Sequence, residues 1–212
     1  MKSSKGGAYE REICKLLSSW WTEGVRDDIF WRSAGSGGRA TQRSKKGTST
    51  YGQYGDIQAV DPIGSPLVQY FTLELKRGYT KTSIGDVVDR LERPAPTEME
   101  KFFEQAMRSA SEAGSVSWLL LTKRNKRDDM LYIPKKAYIE LQENGAFEKT
   151  PRTLLQLRTK IKTSKKEWVL LEVVGMRLSS FIRGCSPQVI KIVCKRTLKN
   201  KNHVAKDSVR KR

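Results

Sequence analysis

Apolar side chains recur at Tyr9, Ile13, Leu16, Leu17 and Trp20, the spacing that lines one face of an α-helix, and this predicts a first helix over residues 8–22. Residues 29–33 (IFWRS) are short, aromatic and β-prone. The pattern then breaks: from Ala34 to Gly55 the chain is dominated by Gly, Ser, Thr and basic residues and is expected to form a long loop. Two strand-like runs follow, Asp56 to Val60 and Leu67 to Lys76. The segment between them, Asp61-Pro62-Ile63-Gly64-Ser65-Pro66, suits a turn, so a β-hairpin is the simplest expectation. Pro94 and Pro96 precede Thr97-Glu98-Met99-Glu100, which has capping-box spacing, and Phe102, Phe103, Ala106, Met107 and Ala110 form the apolar face of a second helix ending near Gly114. Val116 to Thr122 is nearly all apolar, as expected of a central strand covered on both faces.

The predicted order is therefore α, β, β, β, α, β. Further strands are expected at Met130 to Ile133, Trp168 to Val174 and Val189 to Val193, with a helix from Lys135 to Glu143. This suggests a core over residues 1–124, a mainly β extension packed on it over 125–194, and a basic tail over 195–212. The tail has eight Lys or Arg and a single Asp, too little apolar surface to fold alone, and is expected to be a flexible arm.

Charge narrows the class of partner. Forty-one Lys and Arg against 23 Asp and Glu give a net charge of +18 and a pI near 10.0, which calls for a polyanion. No run approaches the roughly 20 apolar residues of a membrane helix, and no signal-type apolar region follows Met1, so nucleic acid is favoured over membrane and a soluble, cytoplasmic protein is expected. Cys14, Cys185 and Cys194 lack CxxC spacing, and His203 is the sole histidine, which disfavours a zinc site, a disulfide framework and histidine-based nucleophilic catalysis. Carboxylates, lysine and a hard cation remain as the available chemistry.

In the run LVQYFTLELK, period-two alternation places Glu74 and Lys76 on one face, roughly 7 Å apart. Alone, such a pair reads first as an ordinary strand-end ion pair, with part of a metal site as the alternative. A hairpin would bring Asp56 beside Glu74, and two converging carboxylates repel unless a cation compensates them; the alternative is Asp56 as a turn residue after Gly55. On the first helix, Glu10 lies within about 50° of the centre of the apolar face and Glu12 about 110° away. Glu10 can thus reach inward, although both also fit a solvated first turn.

These residues resemble the PD-(D/E)XK nuclease superfamily, and within it the archaeal-type Holliday-junction resolvases. The resemblance covers about the first 125 residues and rests on Lys5-Gly6-Gly7-Ala8-Tyr9-Glu10-Arg11, Arg32-Ser33-Ala34-Gly35-Ser36-Gly37, Gly55-Asp56-Ile57-Gln58-Ala59 and Glu74-Leu75-Lys76. The αβββαβ order matches as well. Gly55 replaces the usual proline before the aspartate, and the interval from Gly37 to Gly55 is long for a compact resolvase.

The resemblance implies an α/β, restriction-endonuclease-like fold with a mixed central sheet flanked by helices. It further implies that Asp56, Glu74 and the Leu75 carbonyl bind Mg²⁺, with Mn²⁺ as a substitute, and that Glu10 contributes directly or through water. Lys76 would orient the attacking water. Ser33 and Ser36 would lie near the scissile phosphate, although loop composition explains them as well. The implied activity is cleavage of branched DNA in recombination or repair by a homodimer; a duplex-cutting nuclease and a non-catalytic DNA-binding protein are the alternatives. No acidic residue interrupts the chain between Ile29 and Gly55, and Arg32, Arg39, Arg43, Lys45 and Lys46, with Arg77 beyond Lys76, are the expected contacts to the phosphate backbone.

Overall fold

The computed structural model describes residues 5–33, 54–89, 95–149, 151–163 and 165–210. Helix α1 (Lys5–Trp21) buries Tyr9, Ile13, Cys14, Leu17 and Trp21. The buried stripe is rotated from the expected one: Leu16 is exposed and Trp20 only partly covered. Ser18 explains part of the rotation. It is fully buried, its Oγ donates to the Cys14 carbonyl at 2.7 Å, and it accepts from the Phe30 N–H at 2.9 Å, pinning the following strand to the helix.

Strand β1 (Phe30–Arg32) pairs antiparallel with β2 (Ile57–Ala59), Arg32 opposite Ile57. The expected hairpin is therefore corrected. β2 is partnered by β1, and the run assigned to its other arm begins as a helix: a 3₁₀ turn (Pro62–Gly64) leads into α2 (Ser65–Tyr70), and β3 starts only at Phe71 (Phe71–Arg77). Local chemistry favours this helical start. Asp61 caps the turn by accepting from the Ile63 N–H at 3.0 Å, Pro62 and Pro66 pre-set helical φ, and Leu67 and Tyr70, three apart, share the buried side. β2 and β3 nonetheless meet where the Asp56 N–H donates to the Leu73 carbonyl at 2.8 Å.

A short helix α3 (Gly85–Val88) precedes α4 (Glu98–Ala113), whose capping box of Thr97 and Glu100 and left-handed C-cap Gly114 match the predicted ends. Then follow β4 (Ser117–Lys123), β5 (Met130–Pro134), α5 (Lys135–Glu143), β6 (Leu154–Lys162), β7 (Trp168–Arg177), α6 (Leu178–Gly184) and α7 (Pro187–Arg210). The sheet order is β3-β4-β5-β7-β6, with β3 and β4 parallel and the remaining pairs antiparallel. This is a mixed five-stranded α/β sheet flanked by helices.

The residues beyond 124 continue this sheet through β5, β7 and β6. Val189 to Val193, expected as a strand from its β-branched run, lies in α7, because Val189, Ile190, Val193 and Cys194 recur at helical spacing and are buried together. The backbone of residues 195–210, expected as a flexible arm, continues that helix. None of the helices among the described residues is long and apolar enough to cross a membrane.

Two apolar layers cover the sheet. Leu73, Leu75, Leu119, Leu121, Leu131 and Ile133 pack with α1, α6 and α7. On the other face, Leu120, Trp118, Tyr132 and Val173 pack with α4, where Phe103 is fully buried with its ring 5.7 Å from that of Tyr132. Alternation along β3 therefore sends Leu73 and Leu75 into the first layer and turns Thr72, Glu74 and Lys76 towards α4.

Candidate active site

Glu74 sits at the centre of β3 and is 3% exposed. A carboxylate at that depth requires partners, and α4 supplies them. Ser109 Oγ donates to Glu74 Oε1 at 2.7 Å and Gln105 Nε2 donates to Oε2 at 2.9 Å. Lys76 Nζ lies 3.4 Å from the same Oε2, donates to Gln105 Oε1 at 2.9 Å, and stands 5.7 Å from the centroid of the Phe102 ring. The Gln105 amide thus serves both charges, its nitrogen facing the carboxylate and its oxygen the ammonium. The sequence did contain a signal for Gln105 and Ser109: they are polar intrusions, one turn apart, beside Phe102, Ala106 and Ala110 on the buried face of α4.

Asp56 approaches from the open edge of β3. Its N–H donates to the Leu73 carbonyl, its carbonyl accepts from the Ser33 N–H at 2.9 Å, and its Oδ2 accepts from the Leu75 N–H at 2.7 Å. The close approach depends on Gly55. Its φ is +72°, and a Cβ there would stand 2.7 Å from the Leu73 carbonyl oxygen, so a glycine occupies the place where the superfamily usually has proline.

Burial is the main reason that the Asp56 carboxyl is pushed up to about 7, and the negative charge of Glu74 adds to it; the Leu75 N–H and the Lys76 ammonium oppose the shift, and Glu10 reinforces it. The two carboxylates therefore lie close enough for the charge of Glu74 to oppose ionisation of Asp56.

Glu10 reaches inward with a side chain 13% exposed, whereas that of Glu12 is 65% exposed. Arg32 Nε donates to Glu10 Oε2 at 2.8 Å. The third carboxylate is thus paired with a β1 residue, and its charge still raises Asp56. Among the described residues, no group of three or more His, Cys, Asp or Glu side chains forms a metal-ligand cluster.

Ser33 is 3% exposed, and its Oγ donates to the Gly55 carbonyl at 2.7 Å. Its hydroxyl is engaged in bracing the Asp56 turn. Arg77 places its guanidinium 5.5 Å from the Tyr9 ring centroid and 3.9 Å from Glu12. Ser36, Arg39, Arg43, Lys45 and Lys46 lie outside the described residues. Beside Lys76 a cleft of about 140 Å³ is lined by Tyr79, Phe102, Lys123 and Arg124. Lys123 also pairs with Asp129 at 2.9 Å, which in turn accepts from the Tyr9 hydroxyl at 2.7 Å.

The family model described as "Phage putative PDDEXK endonuclease" matches residues 1–190. No curated protein and no solved structure matches the chain. The match spans α1, Asp56 immediately before β2, Glu74-Leu75-Lys76 on β3, helix α4 and the rest of the sheet, and with these residues drawn together around β3 the chain belongs to this PDDEXK endonuclease family.

Proposed function

We propose that the chain is a Mg²⁺-dependent DNA endonuclease, with Mn²⁺ as a substitute, whose reacting centre is Asp56, Glu74, the Leu75 carbonyl and Lys76. The observation that carries this reading is the meeting of Asp56 and Glu74 at one strand edge, with the Asp56 carboxyl raised by burial and by its neighbour's charge. The donor set fits a hard cation: two carboxylates, and a carbonyl that in a strand points to the same edge as the Leu75 N–H already bound to Asp56. Cation binding would stabilise the ionised form of Asp56, which burial disfavours. Glu10, held by Arg32, would contribute through water.

When bound, the cation would lower the pKa of a coordinated water and offset charge on the phosphate. Lys76, fixed by Gln105 and Glu74, orients the attacking water and places positive charge where negative charge develops. The water oxygen bonds to phosphorus as the P–O3′ bond breaks and gives its proton to solvent, and the departing 3′ oxygen gains one, leaving a 5′-phosphate and a 3′-hydroxyl. Gln105 and Ser109 are positioning residues that fix Glu74.

The preferred substrate in this reading is branched DNA, including four-way junctions formed in recombination or repair, cut by a homodimer because two symmetric incisions need two centres. The family's phage setting suits action in the cytoplasm of an infected cell. The net charge of +18 and the basic, acid-free stretch between Ile29 and Gly55 supply backbone contacts that position DNA without reading sequence. Incubation with labelled junction, flap, linear duplex and single strand, with and without Mg²⁺, tests this. Junction cleavage only with Mg²⁺ is expected; equal cutting of linear duplex removes the junction preference, and no cutting of any substrate removes the catalytic reading.

A further inference from the structure

The β6–β7 hairpin forms a nine-pair ladder running from Leu154 opposite Met176 to Lys162 opposite Trp168. Alternation sorts its faces. Leu155, Leu157, Ile161, Leu171 and Val173 turn towards α4 and join the second apolar layer. The opposite face near the tip pairs Arg158 with Glu172, Lys160 with Leu170 and Lys162 with Trp168 across the strands.

On this outer face Trp168 is 59% exposed and Leu170 49%. The Lys162 ammonium lies 5.9 Å from the Trp168 ring centroid, and Lys165 and Lys166 follow at the turn. Residues 158–172 hold five Lys or Arg against two Glu, and Arg158 stands 3.7 Å from Glu172, which leaves the lysines as the dominant charge.

We propose that this face is a second nucleic-acid-binding surface, on which Trp168 stacks an unpaired base and Lys160, Lys162, Lys165 and Lys166 follow the strand's phosphates. An exposed indole with one ammonium beside it on a lysine-rich hairpin offers a π-face and a positive field together, the combination that binds single strands without reading sequence. A second copy of the chain is a poorer occupant, because the same lysines would oppose one another across an edge-to-edge pairing.

The surface is remote from the reacting centre. Trp168 lies on β7, three strand positions from β3 in the sheet and roughly 14 Å away, and Glu74 and Trp168 face opposite sides. The base on Trp168 is therefore not the one at the scissile phosphate. This inference rests on the nuclease reading for its biological meaning, since it makes the substrate one with an unpaired strand at a distance from the cut, but binding can be measured without cleavage.

The experiment uses full-length Asp56→Asn protein in EDTA and follows fluorescence anisotropy of a labelled single strand and a labelled blunt duplex at several salt concentrations. Adding Trp168→Ala is expected to weaken single-strand binding by about 5- to 100-fold, as loss of one stacked base predicts. Trp168→Phe should recover most of the loss, and duplex affinity should be unchanged. Lys160→Gln and Lys162→Gln should each reduce the salt slope for single strands by about 0.7, a readout independent of the indole. The proposal is overturned if the Trp168→Ala protein binds single strands like its parent. It is equally overturned if single-strand and duplex affinity fall together, or if the change alters the sedimenting mass and leaves DNA binding intact. Absence of cleavage in the wild type would overturn the nuclease reading and leave this result standing.

Discussion

Gln105 holds the Lys76 ammonium through a 2.9 Å hydrogen bond to its Oε1, while its Nε2 donates to Glu74. One neutral amide on α4 thereby sets the spacing of an opposite-charge pair on β3. Replacing it by leucine removes both bonds and leaves Lys76 and Glu74 to collapse on one another. Gln105→Leu is expected to lower kcat by about 10- to 100-fold, the usual cost of a lost supporting partner, with KM for DNA little changed. Steady-state kinetics and a circular dichroism melt would separate this from general unfolding; an unchanged kcat would remove Gln105 from the positioning set.

The raised Asp56 carboxyl makes a signed prediction. Its folded pKa of about 7 exceeds the ordinary 3.8, so between these values the folded chain holds a proton that the unfolded chain has lost. The contribution of this group to stability is present in full below pH 3.8 and is lost as pH rises through 7. A divalent cation held there, as proposed, would compensate the ionised form, so the Tm increase caused by Mg²⁺ should be larger at pH 8 than at pH 6. Asp56→Asn should raise the Tm of metal-free protein at pH 8 and shrink the Mg²⁺ response. Scanning calorimetry at the two pH values checks both, and an equal Mg²⁺ shift at each would contradict the assignment.

Gly55 should tolerate no side chain. Gly55→Ala meets both a left-handed φ and a backbone oxygen at 2.7 Å, so a loss of about 1–3 kcal/mol in a denaturant melt is expected, together with loss of cleavage as Asp56 moves off β3. Gly24→Ala is the control. Its φ is also positive, but nothing lies within 4 Å of the added carbon, and about 1 kcal/mol without loss of activity is expected.

Ser33 separates bracing from substrate contact. Its hydroxyl donates to Gly55, so Ser33→Ala should cost about 1 kcal/mol of stability and leave KM for DNA unchanged. A raised KM with unaltered Tm would instead place this hydroxyl on the phosphate.

The parts of the fold that were legible in the sequence are those with local causes. Thr97 and Glu100 announce the start of α4, Gly114 its end, and the alternation of Thr72, Glu74 and Lys76 gives the face they share. The pairing of β2 was not legible, because its partner β1 lies across a long interval and strand pairing depends on contacts distant in sequence. Leu67 to Tyr70 fits one helical turn as well as a strand, and the Asp61-capped 3₁₀ turn that runs into it, with Pro66 in its first turn, favours the helix. The β-branched run at Val189 to Val193 concealed a helix whose packing against the core outweighs propensity. Asp56, Glu74 and Lys76 were readable as candidates. Gln105 and Ser109 could be marked only as polar intrusions on the buried face of α4, since no local pattern says that this helix lies over the polar side of β3.

The turn that carries Asp56 has a further consequence. Ser33 and the Gly55–Asp56 pair are tied by two hydrogen bonds, Ser33 Oγ to the Gly55 carbonyl and Ser33 N–H to the Asp56 carbonyl, so positions 33 and 55–56, far apart in sequence, are clasped together. Lengthening a closed interval carries only a slow, logarithmic entropic penalty. Asp56 thus takes its position from Ser33 and from β3, and insertions into the intervening sequence are expected to leave its carboxylate in place.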